Sequence, residues 1–334
     1  MKKLIILIGL ITSLSACESM LFEADKASAD PYANFEYLWS ELDKKYSYFE
    51  LKNINWNAVK TKYQAKLSKN MSEEALFKVL ADMMNELRDD HSNLSAPFDA
   101  SVYNIALRSD ANYNQRTIEL NYLENKMQTG AFSHAKIKNQ NIAYVRYASF
   151  MDQVTAFDLD YILNKYATSK GLILDLRENG GGDIFNVPLI LERFNNEKRK
   201  VGYFKTRNGI RHNDFSQNEA FNIGSYSGTR YDGKLIVLID RGSYSATTMF
   251  AVAAKGIPGI TLIGDTTGGG GGAPNGGQLP NGWTYRFSIS QILDLEGKAH
   301  AEDGVAPHIK VSFNWSNLNK DEIIDNAISV INSL

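Results

Sequence analysis

Cysteine occurs once in the 334 residues, at Cys17. A single thiol excludes an intrachain disulfide and a cysteine-based zinc cluster. Net charge is nearly absent as well: 36 Lys and Arg against 38 Asp and Glu leave −2. That balance gives no electrostatic footprint for nucleic acid as a partner. There is no internal repeat. The glycine cluster Gly180–Gly182 lacks the Lys-Ser/Thr that completes a phosphate-cradling P-loop. What remains is an ordinary globular composition, 43% hydrophobic and 22% charged. The length suffices for one large domain or two smaller ones.

The start of the chain reads as a targeting segment. Lys2 and Lys3 precede an apolar stretch, Leu4–Leu10, and small residues follow in Leu14-Ser15-Ala16-Cys17. This is the pattern of a secretory signal peptide and is too short for a spanning helix. Its end resembles a bacterial lipobox, which implies cleavage before Cys17, lipidation of Cys17 and a lipid-anchored protein of the cell envelope. Residues 1–16 are then the lipoprotein signal peptide. Residues 17–30, mostly small or acidic, read as a tether.

Residues 31–92 read as helical. Phe35, Leu38, Trp39, Leu42 and Tyr46 fall at helical spacing, Trp56, Val59 and Tyr63 begin a second face, and Leu76, Val79, Leu80, Met83 and Leu87 stripe a third helix behind a Ser72 cap. That third helix runs into Arg88-Asp89-Asp90-His91-Ser92. A histidine flanked by carboxylates is either a catalytic base held in one tautomer or a charge partner at a helix end. Residues 93–140 form a small, mixed region in which Val102–Leu107 and Thr117–Leu123 are expected as strands.

From residue 141 to 334 strands alternate with helices, which predicts an α/β domain. Ile142–Phe150 alternates like a strand, and Phe157–Tyr166 reads as a helix. Gly171–Asp175 (GLILD) is a buried strand running into Leu176-Arg177-Glu178-Asn179 and the three glycines. Leu235–Ile239 is another, followed by Asp240-Arg241-Gly242-Ser243-Tyr244-Ser245 and a helix. Ser243 and Ser245 therefore sit where a buried strand becomes a helix. They either cap that helix or, with unpaired backbone N–H groups nearby, form an exposed nucleophile and oxyanion site. Five glycines, Gly268–Gly272, are expected to be a mobile loop beside it.

Four stretches stand in one order: Leu87–Ser92, Leu172–Gly182, Gly242–Phe250 and Gly304-Val305-Ala306-Pro307. In that order they resemble the C-terminal processing (tail-specific) serine peptidases, including the tricorn-core and retinoid-binding-protein branches. The resemblance implies an α/β, crotonase/ClpP-like catalytic domain with an N-terminal helical domain. It also implies a serine endopeptidase acting on protein or peptide substrates without metal or cofactor. Ser245 matches the nucleophile, and Ala246 and Gly181 the N–H donors of the oxyanion hole. The lysine that many relatives use as base is missing, since no lysine lies between Lys255 and Lys298. The tricorn-like branch uses a histidine, and His91 matches its place. Asp90 (or Asp89) is expected to orient His91, and Glu302 to support the hydroxyl network. Thr248 and His308 stand where the family usually has glutamate and aspartate, and 93–140 is too short for the PDZ domain of many relatives. A scaffold that binds a peptide or apolar ligand without cutting it is the second reading. An acyl-CoA enzyme of the same fold, in which the serine motif has no role, is the third.

Overall fold

The computed structural model describes residues 27–103, 111–301 and 303–333. Three helices come first: α1 (Pro31–Lys45), α2 (Trp56–Gln64) and α3 (Glu73–Asn85). Each is capped by the side chain before or near its first turn: Asp30 accepts from Tyr32 N, Asn55 from Ala58 N and Ser72 from Ala75 N. Such caps satisfy N–H groups that have no acceptor within the helix. The short strands β1 (Asn93–Ala96) and β2 (Asp99–Ala100) follow. Next come α4 (Gln115–Asn121), β3 (Leu123–Thr129), β4 (Phe132–Ile137), β5 (Ile142–Tyr147), α5 (Ala156–Lys165) and β6 (Gly171–Asp175). The chain continues through α6 (Asn186–Leu191), β7 (Arg199–Thr206), β8 (Glu219–Ile223), β9 (Lys234–Ile239), α7 (Ala246–Lys255) and β10 (Ile260–Gly264). Strands β11 (Pro274–Gln278), β12 (Thr284–Ser288), β13 (Ser290–Leu293) and β14 (Ile309–Lys310) precede the closing helix α8 (Glu322–Asn332).

A seven-stranded sheet in the order β14-β10-β9-β6-β5-β4-β3 forms the frame. Its strands are parallel from β14 to β5 and antiparallel at the β4–β3 edge. Strands β6 and β9 lie side by side at its centre, Leu172 opposite Leu235 and Asp175 opposite Leu238. Both are buried along their length, apart from the half-buried Lys234, because helices and further strands cover both faces. One face packs on α5, α6, α7 and the three-stranded sheet β13-β7-β8 through Leu174, Val237, Val187 and Phe250. The other packs on α8 through Ile173, Ile236, Ile323 and Ile331.

A four-stranded sheet, β11-β12-β1-β2, joins this frame to the N-terminal helices. Leu38, Leu80 and Met83 of those helices share one core with Trp283, Tyr285 and Phe287. The helical region is thus closed by residues almost 200 positions further on. The frame also reaches back to Leu123, ahead of residue 141, through β3 and β4.

The expected strand at Thr117–Leu123 is a helix over most of its length. Asn114 caps α4 by accepting from Thr117 N, and Thr117 and Ile118 face inward together. A local cap won over the β-branched composition. The other expected strand, Val102–Leu107, falls mostly outside the described residues, as do the segment 1–26 with Cys17 and Glu302. Among the described residues no helix is long and apolar enough to cross a membrane.

Candidate active site

The turn from β9 into α7 is held on every side. The Asp240 carboxylate accepts from the N–H groups of Ser243 (3.1 Å) and Glu178 (2.8 Å). Ser243 is fully buried and its Oγ donates to the Leu176 carbonyl at 2.8 Å. It is a turn lock, with no access to a substrate. Tyr244 N donates to the Asn179 carbonyl (3.0 Å) and Ser245 N to the Gly269 carbonyl (2.9 Å).

Between these anchors Ser245 adopts φ 58° and ψ −116°, and its side chain makes no capping hydrogen bond. A non-glycine residue in that region is strained by roughly 1–3 kcal/mol and persists only where its surroundings impose it. The capping alternative therefore does not apply to Ser245. Its Oγ lies 3.0 Å from His91 Nε2.

His91 reaches this point from the turn after α3. Asp89, buried, accepts from His91 N at 2.9 Å and from Ser92 Oγ at 3.2 Å, which fixes the turn. Tyr244 meets the imidazole edge-on, with centroids 5.1 Å apart. Burial, with a smaller push from Arg286, lowers the His91 pKa below its ordinary 6.5, against the pull of the Asp89 charge. A lowered pKa favours the neutral ring, the form that can accept a proton. The Gly272 backbone also interacts with the ring and, like the Asp89 charge, favours its protonated form.

The expected role of Asp90 is corrected by this geometry. Its Oδ1 is buried and unpaired rather than bonded to the imidazole, and burial together with the Asp89 charge pushes its pKa up to about 6. Asp89 acts on the His91 backbone, so neither carboxylate orients the ring directly. The i, i+1 spacing could not separate the two.

The glycine loop after β6 lies against the elbow. A Cβ on Gly181, at φ +94°, would stand 2.6 Å from the Tyr244 carbonyl oxygen, 2.7 Å from Ser245 Cβ and 2.9 Å from the Ala246 nitrogen. Only glycine allows this approach. The Ala246 N–H heads α7, where no acceptor exists within the helix. The Gly181 N–H, expected to be free for an oxyanion, instead donates to Asn179 Oδ1 at 3.0 Å. Asn179 was missed by sequence reasoning. Its side chain holds Gly181 and donates to the Tyr147 carbonyl (2.9 Å), while its carbonyl accepts from Tyr244 N and from Thr247 Oγ1 (2.8 Å). One buried residue so ties the glycine loop to the Ser245 turn.

The glycine run is not a loose loop. Gly268–Gly270 and Gly272 are buried, and Gly269 bridges Tyr244. A Cβ on Gly271 would lie 1.9 Å from the His300 carbonyl oxygen, so the glycines serve close packing. Thr248 donates to Thr267 Oγ1 at 3.0 Å, and Thr267 Oγ1 accepts from Val305 N at 2.9 Å. A hydroxyl pair thus links α7 to the Gly304–Pro307 turn. His308 accepts from Leu262 N through Nδ1 at 2.9 Å, outside the site. Ser245, His91, Ala246, Gly181 and Asp90 all line one cavity of about 780 Å³.

Comparison with known proteins agrees with this frame. Residues 141–311 match peptidase family S41, and residues 28–85 match the tricorn protease C1 domain. The chain belongs to peptidase family S41. Members of this family are serine hydrolases. Carboxy-terminal processing protease CtpA of Bacillus subtilis is 24% identical over 179 residues, 53% of this chain and 36% of that protein. The tail-specific protease of Haemophilus influenzae is 28% identical over 210 residues, 59% of this chain and 27% of that one. The chain thus spans about a third of the curated relatives it matches. A candidate peptidase from Parabacteroides merdae superposes over 91% of this chain and 97% of its own with TM-score 0.86 and 34% identity. Mature CPAF, in its complex with lactacystin, covers 92% of this chain and 100% of its own at TM-score 0.72 and 12% identity, a likeness of fold.

Seen as an S41 chain, the protein keeps the strand–glycine loop and serine elbow and has no lysine near Gly270. His91 Nε2 is the basic nitrogen that meets Ser245. Among the described residues no group of histidine, cysteine, aspartate and glutamate is placed to hold a metal ion.

Proposed function

We propose that this chain is a lipid-anchored serine endopeptidase of the cell envelope, with Ser245 as nucleophile and His91 as general base. The observation that carries the reading is the 3.0 Å approach of His91 Nε2 to the Oγ of a strained, uncapped Ser245. In acylation His91 Nε2 takes the Ser245 proton as Oγ bonds to the peptide carbonyl carbon. His91 then gives that proton to the leaving amine as the C–N bond breaks. Water, deprotonated by His91, hydrolyses the acyl-enzyme and restores Ser245. The Ala246 N–H faces the tetrahedral oxygen, and the Gly181 amide joins it when released from Asn179. Glu302 is assigned support of the hydroxyl network. Cys17 carries the anchor, and several acyl chains on one residue give stable membrane attachment.

The test is degradation of unfolded casein by the full chain beside Ser245→Ala and His91→Ala. Both variants are expected to lose at least about a thousandfold in kcat/KM. Wild-type rates in Ser245→Ala refute the nucleophile. Full activity in His91→Ala refutes the base. Cys17→Ser is expected to move the protein from the membrane fraction to the soluble fraction. Absence of any cleavage, with saturable peptide binding, would favour the ligand-binding reading.

A further inference from the structure

The cavity around Ser245 carries three charged side chains, Asp90, Asp183 and Arg286; the rest of its lining is uncharged apart from His91. Asp183 is already used: its Oδ1 accepts from Phe185 N at 2.9 Å and turns the chain into α6. Asp90 is half-buried beside Asp89, and burial together with that charge pushes its pKa up to about 6, against the pull of Arg286. Arg286 differs from both. It is exposed on β12, opposite Asn93 of β1. With the Asn93 amide oxygen turned toward it, that oxygen accepts from Arg286 Nε (3.0 Å) and Nη2 (3.3 Å).

This contact orients the guanidinium without neutralising it. Among the described residues no carboxylate forms an ion pair with Arg286, whereas the buried Arg177 has Asp175 and Asp321 at 2.6 and 2.8 Å. The Arg286 charge reaches the site, since it lowers the pKa of both Asp90 and His91. An arginine held by a neutral amide, with no carboxylate in an ion pair with it among the described residues, is the arrangement that recognises a carboxylate through charge-assisted hydrogen bonds. The apolar part of the wall includes Met249, one turn along α7 from Ser245, and the cross-strand pair Phe204 and Ile292.

We propose that Arg286 is a specificity residue that takes a carboxylate of the peptide substrate, next to the apolar wall formed by Met249, Phe204 and Ile292. The carboxylate has two sources of one chemistry, the free C-terminus of a peptide or an aspartate or glutamate side chain. The inference rests on the peptidase reading of the same cavity.

The experiment uses three dye-labelled peptides of one Ala/Val/Gln sequence: one with a free C-terminus, one amidated, and one amidated with an internal Gln replaced by Glu. Binding to full-length Ser245→Ala is read by fluorescence anisotropy, and kcat/KM is measured with the intact enzyme. At least one carboxylate peptide is expected to bind about tenfold tighter than the neutral amide, with the gain in KM. Gain with the free terminus assigns the C-terminus; gain with the Glu peptide assigns a side chain. In Arg286→Gln the ratio of carboxylate to amide peptide is expected to fall to about one. Binding that ignores the carboxylate, or a preference that survives Arg286→Gln, overturns the proposal. Because anisotropy needs no turnover, a carboxylate preference without cleavage would refute the peptidase reading and leave the role of Arg286 standing.

Discussion

Replacing Gly181 by alanine probes the contact between the glycine loop and the Ser245 turn with one methyl group. At φ +94° alanine is outside its favoured backbone regions, a cost of about 1–2 kcal/mol. The added Cβ falls within 3.0 Å of the Tyr244 oxygen, Ser245 Cβ and the Ala246 nitrogen. Two of these are backbone atoms of the turn, so relief requires moving the turn itself. Overpacking of this kind adds about 1–3 kcal/mol. The sum, roughly 2–5 kcal/mol, is below or comparable with the usual stability of a domain, so folded protein is expected at low temperature. A shift of up to about 1 Å at Ser245 is expected to lower casein hydrolysis by about a hundredfold. Gly180→Ala is the control: its Cβ would meet nothing within 4 Å and its φ lies outside the left-handed region. That change is expected to be neutral or to stabilise by up to about 1 kcal/mol. Urea unfolding followed by tryptophan fluorescence reads both. The reasoning is refuted if the two alanines destabilise equally, or if Gly181→Ala matches wild type in stability and rate.

The pH profile of kcat/KM is expected to show an acid limb with a midpoint below 6.5, because burial lowers the His91 pKa and the neutral ring is the proposed base; a midpoint at 7 or above would contradict this assignment. Asp240 bears on stability. Burial, aided by the charge and the side-chain contact of Glu178, pushes its pKa up to about 7. The folded state therefore binds a proton that the unfolded state, near 3.8, has lost. This contribution is full below pH 3.8 and disappears as pH rises through about 7, about 4 kcal/mol at most. Asp240→Asn keeps the acceptor for Glu178 N and Ser243 N and is expected to flatten the fall in unfolding free energy between pH 5 and 8. An unchanged slope would place the titration elsewhere.

The sequence was readable where local pattern and burial agree. The apolar runs Gly171–Asp175 and Leu235–Ile239 are the central strands β6 and β9, and the breaks after them are the two loops of the site. Ser243 and Ser245 were equivalent by pattern. Only backbone geometry separates them, one as a buried lock and the other as a strained, uncapped residue. The glycine run was misread because flexibility in an isolated chain says nothing about the neighbours that glycine admits. Asp90 was misread because the turn after α3 directs Asp89, not Asp90, back onto the chain. Asn179 stood inside a recognised motif, but its bonds to Tyr147, Tyr244 and Thr247 join three segments that sequence spacing does not relate. Arg286 carried no signal, since one arginine in a strand reads as a solvated face.

The assembly of the site explains where its alignment is vulnerable. Neighbouring parallel strands deliver their following loops to the same sheet edge, so β6 and β9 bring glycine loop and serine turn together by topology. Asn179 then fixes their spacing. His91 arrives differently, from a helical region whose core is completed by Trp283, Tyr285 and Phe287. The 3.0 Å contact between His91 and Ser245 therefore spans two separately packed cores. A cavity at Trp283 lies outside the core beneath the Ser245 turn, yet it loosens the support of His91. Damage there reaches the proposed proton transfer while the Ser245 turn keeps its own hydrogen bonds.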